Sequence, residues 1–206
     1  TLATLKASNA ETLTGTDDTK YITSENLQHK LESDGVLIIE NVAALASTPV
    51  VAGAVYYLKE YHSGTGKGGG DLLAYTGVDT PDDTLIFASG TPGVLFKRIN
   101  YKSLSVLMAG AKGDGVTNDT DRIQAAIDVA ASTKKRLTIP AYEYSIVPAA
   151  AFADEDAGVP CITAFNLRSN LEIVAEEGAK FKVANGVSTD PSPKSMGIFS
   201  TNEVLS

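Results

Sequence analysis

The sequence predicts a mainly β fold with few helices, on three observations. Glycine and proline are frequent, 18 and 8 of 206 residues, and they separate many short runs rich in Val, Ile, Thr and Tyr, the residues that suit a pleated, half-buried surface. Helical periodicity is confined to short stretches, of which TDRIQAAIDVAAS is the clearest. At 43% hydrophobic and 20% charged residues, the chain can bury a core and is not disordered by composition. Its length fits one to two domains.

Residues 1–22 are polar and rich in Thr, Ala, Asp and Gly, and read as an extended arm. TSENLQHKLESD, residues 23–34, reads as a helix. Thr23 or Ser24 can cap it, Leu27 and Leu31 fall four apart, and Gly35 can end it. Its apolar stripe is thin, so it is expected to pack against a neighbour or another chain. Residues 36–49 are apolar, with a short helix expected from near Asn41. Four strand-like runs follow, Val55–Tyr61, Leu72–Thr76, Thr84–Ala88 and Val94–Ile99, separated by GTGKGGG, VDTPDD and SGTPG. That spacing predicts a small antiparallel β module. Residues 100–105 read as a link.

Residues 106–133 read as strand, turn, helix. In the helix Ile123, Ala126, Ile127, Ala130 and Ala131 recur on one face. Asp119 or Thr120 can cap it, and Asp121 suits the positive end of its dipole. Beyond it short strands return: Arg136–Ile139, Tyr144–Val147, Cys161–Ala164, Leu171–Val174, Lys180–Val183 and Ile198–Ser200. Ala149–Gly158 reads as an inserted acidic loop. No exact repeat is visible, but solenoid coils can share shape without sharing sequence.

The net charge of −8 argues against phosphate backbones and anionic membranes as partners. No apolar stretch approaches the ~20 residues that span a bilayer, and the N-terminus lacks the basic and apolar blocks of a secretory signal. The chain starts at Thr1, so residues before it are expected. Cys161 is the single cysteine, which leaves no intrachain disulfide and no thiolate cluster for zinc. His29 and His62 have no metal-ligand spacing and read as structural residues.

Several motifs invite chemistry and fail on spacing. GTGKGGG, residues 64–70, lacks the Ser or Thr after Lys67 that a phosphate loop needs, and Tyr61 stands where its first glycine belongs. It reads as a turn. Asp114, Asn118, Asp119 and Asp121 do not follow the calcium-loop pattern, since Val116 and Thr120 occupy ligand positions. Such short side chains bond their own backbone in turns and caps. Asp154, Glu155 and Asp156 are adjacent, whereas glycosidase carboxylates face each other at ~5–10 Å. Glu176–Glu177 before Gly178 reads as a turn. No nucleophile–base pair has a plausible setting. No catalytic, cofactor-binding or metal-binding residue is therefore assigned, and no cofactor is expected.

Residues 109–147 carry a more specific pattern. Gly110, Ala111, Gly113, Asp114, Gly115, Thr117, Asp119 and Thr120, then Ile123–Ile127 as IQAAI, then Ile139, Pro140, Tyr142 and Tyr144, resemble the opening of the pectate-lyase-like superfamily found in phage tail spikes. Ala141 stands where glycine is usual. Residues 170–183 and 196–204 resemble early coils. Residues 11–31 resemble a tail-fibre segment, and YLKEYHSGTGKGGGDLLAYT with TLIFASGTPGVLFKRI resembles the β module before the β-helix in tail spikes.

The resemblance implies three parts: a tail-attachment arm and helix over 1–35, a small β module over 36–103, and the start of a right-handed parallel β-helix over 104–206, with a capping helix at about 120–132. A helix laid over the first coil would cover an open core and an unpaired strand edge. The resemblance further implies the N-terminal part of a longer virion protein. It would be a homotrimer docked on tail or baseplate proteins, with host polysaccharide recognised and degraded by later coils. A non-enzymatic receptor-binding fibre and a pectin-type lyase or hydrolase are the alternatives.

Overall fold

The computed structural model describes residues 37–147, 150–153, 160–183 and 196–201. The arm expected over 1–22, the helix expected over 23–34, His29 and the run Asp154–Asp156 lie outside the described residues.

The first half is one five-stranded sheet, formed by β1 (Leu37–Ile39), β2 (Val55–Leu58), β3 (Gly70–Thr76), β4 (Ile86–Ala88) and β5 (Val94–Arg98), in the order β1-β2-β3-β5-β4. Strands β2 to β5 pair antiparallel, as the turn spacing predicts. Strand β1 was not expected; it adds in parallel to β2, with Ile38 opposite Tyr57. Between them, α1 (Val42–Leu45) starts where expected, because the Asn41 carboxamide oxygen accepts from Ala44 N. Alternation along the strands turns Tyr56, Leu58, Leu72, Ala74, Phe87 and Phe96 to one face, where they form the sheet's own core. Tyr56 and Phe96 meet there edge to face, 5.2 Å between ring centres.

The second half winds. Strand β6 (Leu104–Ser105), a 3-10 turn (Val106–Ala109) and β7 (Asp114–Asn118) lead into α2 (Thr120–Thr133). Next come β8 (Leu137–Ile139), β9 (Glu143–Ile146), β10 (Ala150–Ala153), β11 (Pro160–Leu167), β12 (Ile173–Ala175), β13 (Lys180–Val183) and β14 (Met196–Thr201). They stack in parallel as β6-β8-β12, β7-β9-β13 and β11-β14. Each later strand lies beside the one a coil earlier, on three faces: these are the first coils of a parallel β-helix. Helix α2 packs against the 3-10 turn, β6, β8 and β11. It puts Ile123, Ala126, Ile127 and Ala130 into a core with Leu104, Val106, Leu137, Ile139, Tyr144, Ile146 and Phe165. It therefore caps the first coil, as the amphipathic pattern implies.

Four local expectations are corrected. The strand expected at the start of 106–133 is a 3-10 turn over Val106–Ala109, because Ser105 Oγ accepts from Leu107 N and Gly110, at φ 95°, ends it. The turn expected around Asp114–Asn118 contains β7, paired with β9. Within the stretch read as an acidic loop, Ala150–Ala153 is a strand, antiparallel to β11. Residues 100–105, read as a link, include β6, whose two residues are too few to show a period.

Candidate functional site

The place where the sequence concentrates its unusual residues is the seam between the sheet and the β-helix. Parity along β5 points Phe96 and Arg98 inward together. Arg98 is 5% exposed and spends its guanidinium on backbone carbonyls. Nε donates to Thr84 O at 2.8 Å, Nη1 to Gly69 O at 2.9 Å, and Nη2 to Gly68 O at 2.6 Å and Met108 O at 3.3 Å. One planar fork thus ties the glycine-rich loop, the approach to β4 and the 3-10 turn of the β-helix. Burial pushes its pKa from 12.5 down to about 10, which still leaves it charged at neutral pH.

The glycine-rich loop is locked from both sides. Glu60, buried by its own loop, accepts from Gly64 N and Gly66 N, both at 2.6 Å. Those amide hydrogen bonds, Gly66 first, hold its carboxyl below the usual range. The N–H groups that a phosphate would need are therefore already occupied. Lys67 Nζ donates to Lys112 O at 2.9 Å and sits 3.7 Å from the centre of the Tyr142 ring, across the seam. A Cβ on Gly68 would strike the Leu107 carbonyl oxygen, so the two modules approach there as closely as backbone allows.

Further contacts complete the seam. His62 Nε2 lies 2.8 Å from Gly110 O. Arg122 Nη1 donates to the Tyr61 hydroxyl, which donates to Asp83 O. Leu85 is buried in the β-helix core while Phe87, two residues on, is in the sheet core.

The residues singled out in the sequence fall as follows. Asp114 turns on itself: its carboxylate accepts from Val116 N, Thr117 N and the Thr117 hydroxyl. The Thr117 amide bond is the leading cause that lowers its pKa from 3.8 to about 2. Asn118 Oδ1 accepts from Thr120 N and its hydroxyl, capping α2. Asp119 holds the N-cap position without a side-chain cap bond. Its carboxylate instead accepts from Lys112 N and Gly113 N and fixes the turn before β7. Burial, the largest effect, pushes its pKa up. Asp121 is exposed in the first turn of α2. Glu176 accepts from Ala141 N, and Glu177 is exposed in the turn between β12 and β13. These carboxylates serve turns on different elements, and the described residues contain no group of His, Cys, Asp and Glu suited to a metal ion.

Arg98 and Glu60 escaped the sequence reading. Arg98's signal was parity: it shares the inward register of Phe96. Glu60 had none, because its role depends on the loop that folds back over it.

Comparison with known proteins bears on this two-part architecture. A family model described as the phage tail protein small four-stranded beta-sheet domain matches residues 38–101. Residues 38–101 are similar to that domain. The match spans strands β2–β5 and most of β1. Among solved structures, the chain is similar to Pantoea stewartii WceF, "a glycan biofilm modifying enzyme with a bacteriophage tailspike-like parallel beta-helix fold". The TM-score is 0.54 at 19% identity, over 80% of this chain and 27% of that one. It is also similar to tailspike protein 2 of the Escherichia coli O157:H7 bacteriophage CAB120, with TM-score 0.51 and 19% identity over 84% of this chain and 28% of that one. A third is tailspike protein gp49 of the Acinetobacter baumannii bacteriophage Fri1, described as a capsular polysaccharide depolymerase. Its TM-score is 0.52 at 12% identity, over 80% of this chain and 37% of that one. These likenesses show the fold, a parallel β-helix following the sheet. The chain spans less than two fifths of each of these proteins. No curated protein matches the sequence.

Proposed function

We propose that this chain is the virion-proximal connector of a tailspike that recognises host surface polysaccharide. The tail domain would join the spike to the phage tail, and the seam would pass load into the β-helix. The assembled unit would be a homotrimer docked on tail or baseplate proteins. The observation that carries the reading is the direct succession of a phage tail domain and a capped β-helix start, clamped by a buried arginine that bonds both. WceF has a β-helix of this kind in a bacterial glycan-modifying enzyme, so the coils alone do not separate virion from cell-surface roles. The tail domain favours the virion.

By the same reading, polysaccharide degradation belongs to coils beyond those described, as gp49's description as a depolymerase suggests. Two experiments test it. Antibodies raised against residues 38–101 should label the tail of intact phage particles; labelling confined to host cells would refute the virion assignment. Purified residues 1–206 should release no reducing ends from host capsule or lipopolysaccharide. Release by this chain would move the active site into the coils described above.

A further inference from the structure

One face of the sheet forms its core, and the other is partly open to solvent among the described residues. Cross-strand partners point to the same side, and the pairs Ile38–Tyr57, Val55–Leu73 and Tyr75–Leu95 define the other face. These six side chains belong to neither core, and Val55 and Tyr57 are 44% and 41% exposed. Ile38, Leu73, Tyr75 and Leu95 are half-buried, and Ile86 at one end of this face packs against the β-helix core. A contiguous apolar face of this kind marks an interaction surface.

We infer that this face is where copies of the chain meet, an inference that rests on the homotrimeric reading above. Charge selects the occupant. The chain carries 25 acidic against 17 basic residues, so contact between copies is favoured where acids are few or matched by bases. This face is balanced. Its outward strand positions include one base, Lys97, and one acid, Asp71. The Lys59–Glu40 pair at its end, 2.9 Å apart, neutralises itself. Asp79 stands at the rim, accepting from the Tyr75 hydroxyl at 2.8 Å. In a closed ring each contact is head to tail, so Lys97 of one copy can face Asp71 of the next. The described part of each sheet edge, β1 and β4, is three residues long, which offers strand addition little to pair with. The face is the larger surface for a second copy.

Light scattering of the whole chain tests this. Wild type should run as an assembly. V55E/Y57E, at two positions that solvent already reaches, should run at the mass of one chain with unchanged circular dichroism. V116E, at an 83% exposed position on β7, should stay assembled. If V55E/Y57E stays assembled, the face is wrong and the homotrimer stands. A monomeric wild type overturns both. A probe that does not depend on the charged variant is Y57W, since the chain has no tryptophan. Its emission should be blue-shifted in the assembly and move to the red on dilution to single chains. A red emission that ignores dilution overturns the inference.

Discussion

Replacing Arg98 by methionine isolates the clamp, because the aliphatic stem is kept while the fork is removed. The fork makes three hydrogen bonds at 2.6–2.9 Å and a longer fourth at 3.3 Å. A hydrogen bond from a charged donor nets about 1.5–3 kcal/mol, so the three short ones contribute about 4.5–9 kcal/mol. Against this stands the cost of burying the charge. A pKa lowered from 12.5 to about 10 corresponds to about 3 kcal/mol, at roughly 1.4 kcal/mol per pH unit. That cost vanishes with the charge. The expected net loss for Arg98→Met is therefore about 2–6 kcal/mol. For a chain of this size each kcal/mol lowers Tm by roughly 2–4 °C, so Tm should fall by roughly 5–20 °C. Arg98→Lys keeps the charge but not the fork, and one ammonium cannot reach carbonyls on three segments. It should show most of the same loss. Thermal and urea unfolding followed by circular dichroism measure both. A change under about 0.5 kcal/mol in Arg98→Met, the range of ordinary surface substitutions, would refute the idea that this residue joins the two modules.

Three other perturbations test separate links. Gly68→Ala places a methyl group against the Leu107 carbonyl at a residue with φ +72° and should cost about 2–4 kcal/mol in the same unfolding assay. The Gln124 carboxamide accepts from Asn166 N at 2.8 Å and donates to Asn166 O at 3.1 Å, standing in for a neighbouring strand on the edge of β11. Gln124→Ala should therefore destabilise by about 1–3 kcal/mol; helix propensity alone predicts the opposite sign, so a stabilised variant would end this reading. Asp114 has a pKa near 2 when folded and 3.8 otherwise. Its contribution is full above about pH 4 and is lost as pH falls towards 2. Asp114→Asn should flatten the fall in stability across that interval, and an unchanged slope in acid titration would show that the turn does not depend on the carboxylate.

Much of this protein was decided by short-range pattern. The alternation in β2, β3 and β5, the 3.6-residue period of Thr120–Ala131 and the Asn41 cap each depend on residues close in sequence, and each formed where the sequence put it. The polar side chains of Asp114 and Asn118 also bond their own neighbours, as short polar side chains in turns do. Tertiary structure decided the rest, because it depends on partners far along the chain. Leu104–Ser105 is a strand only because β8 lies beside it, and Leu37–Ile39 only because β2 does. Asp119 sits where a helix cap is expected, yet its carboxylate bonds Lys112 and Gly113 instead, because the folded turn brings those amides closer than its own helix's. The seam is the clearest case. Arg98, Gly68, Met108 and Leu85 lie on four segments, and nothing local marks them as neighbours. A buried guanidinium is stable only if its charge is met by acceptors, and here the acceptors come together only once the sheet and the first coil have met.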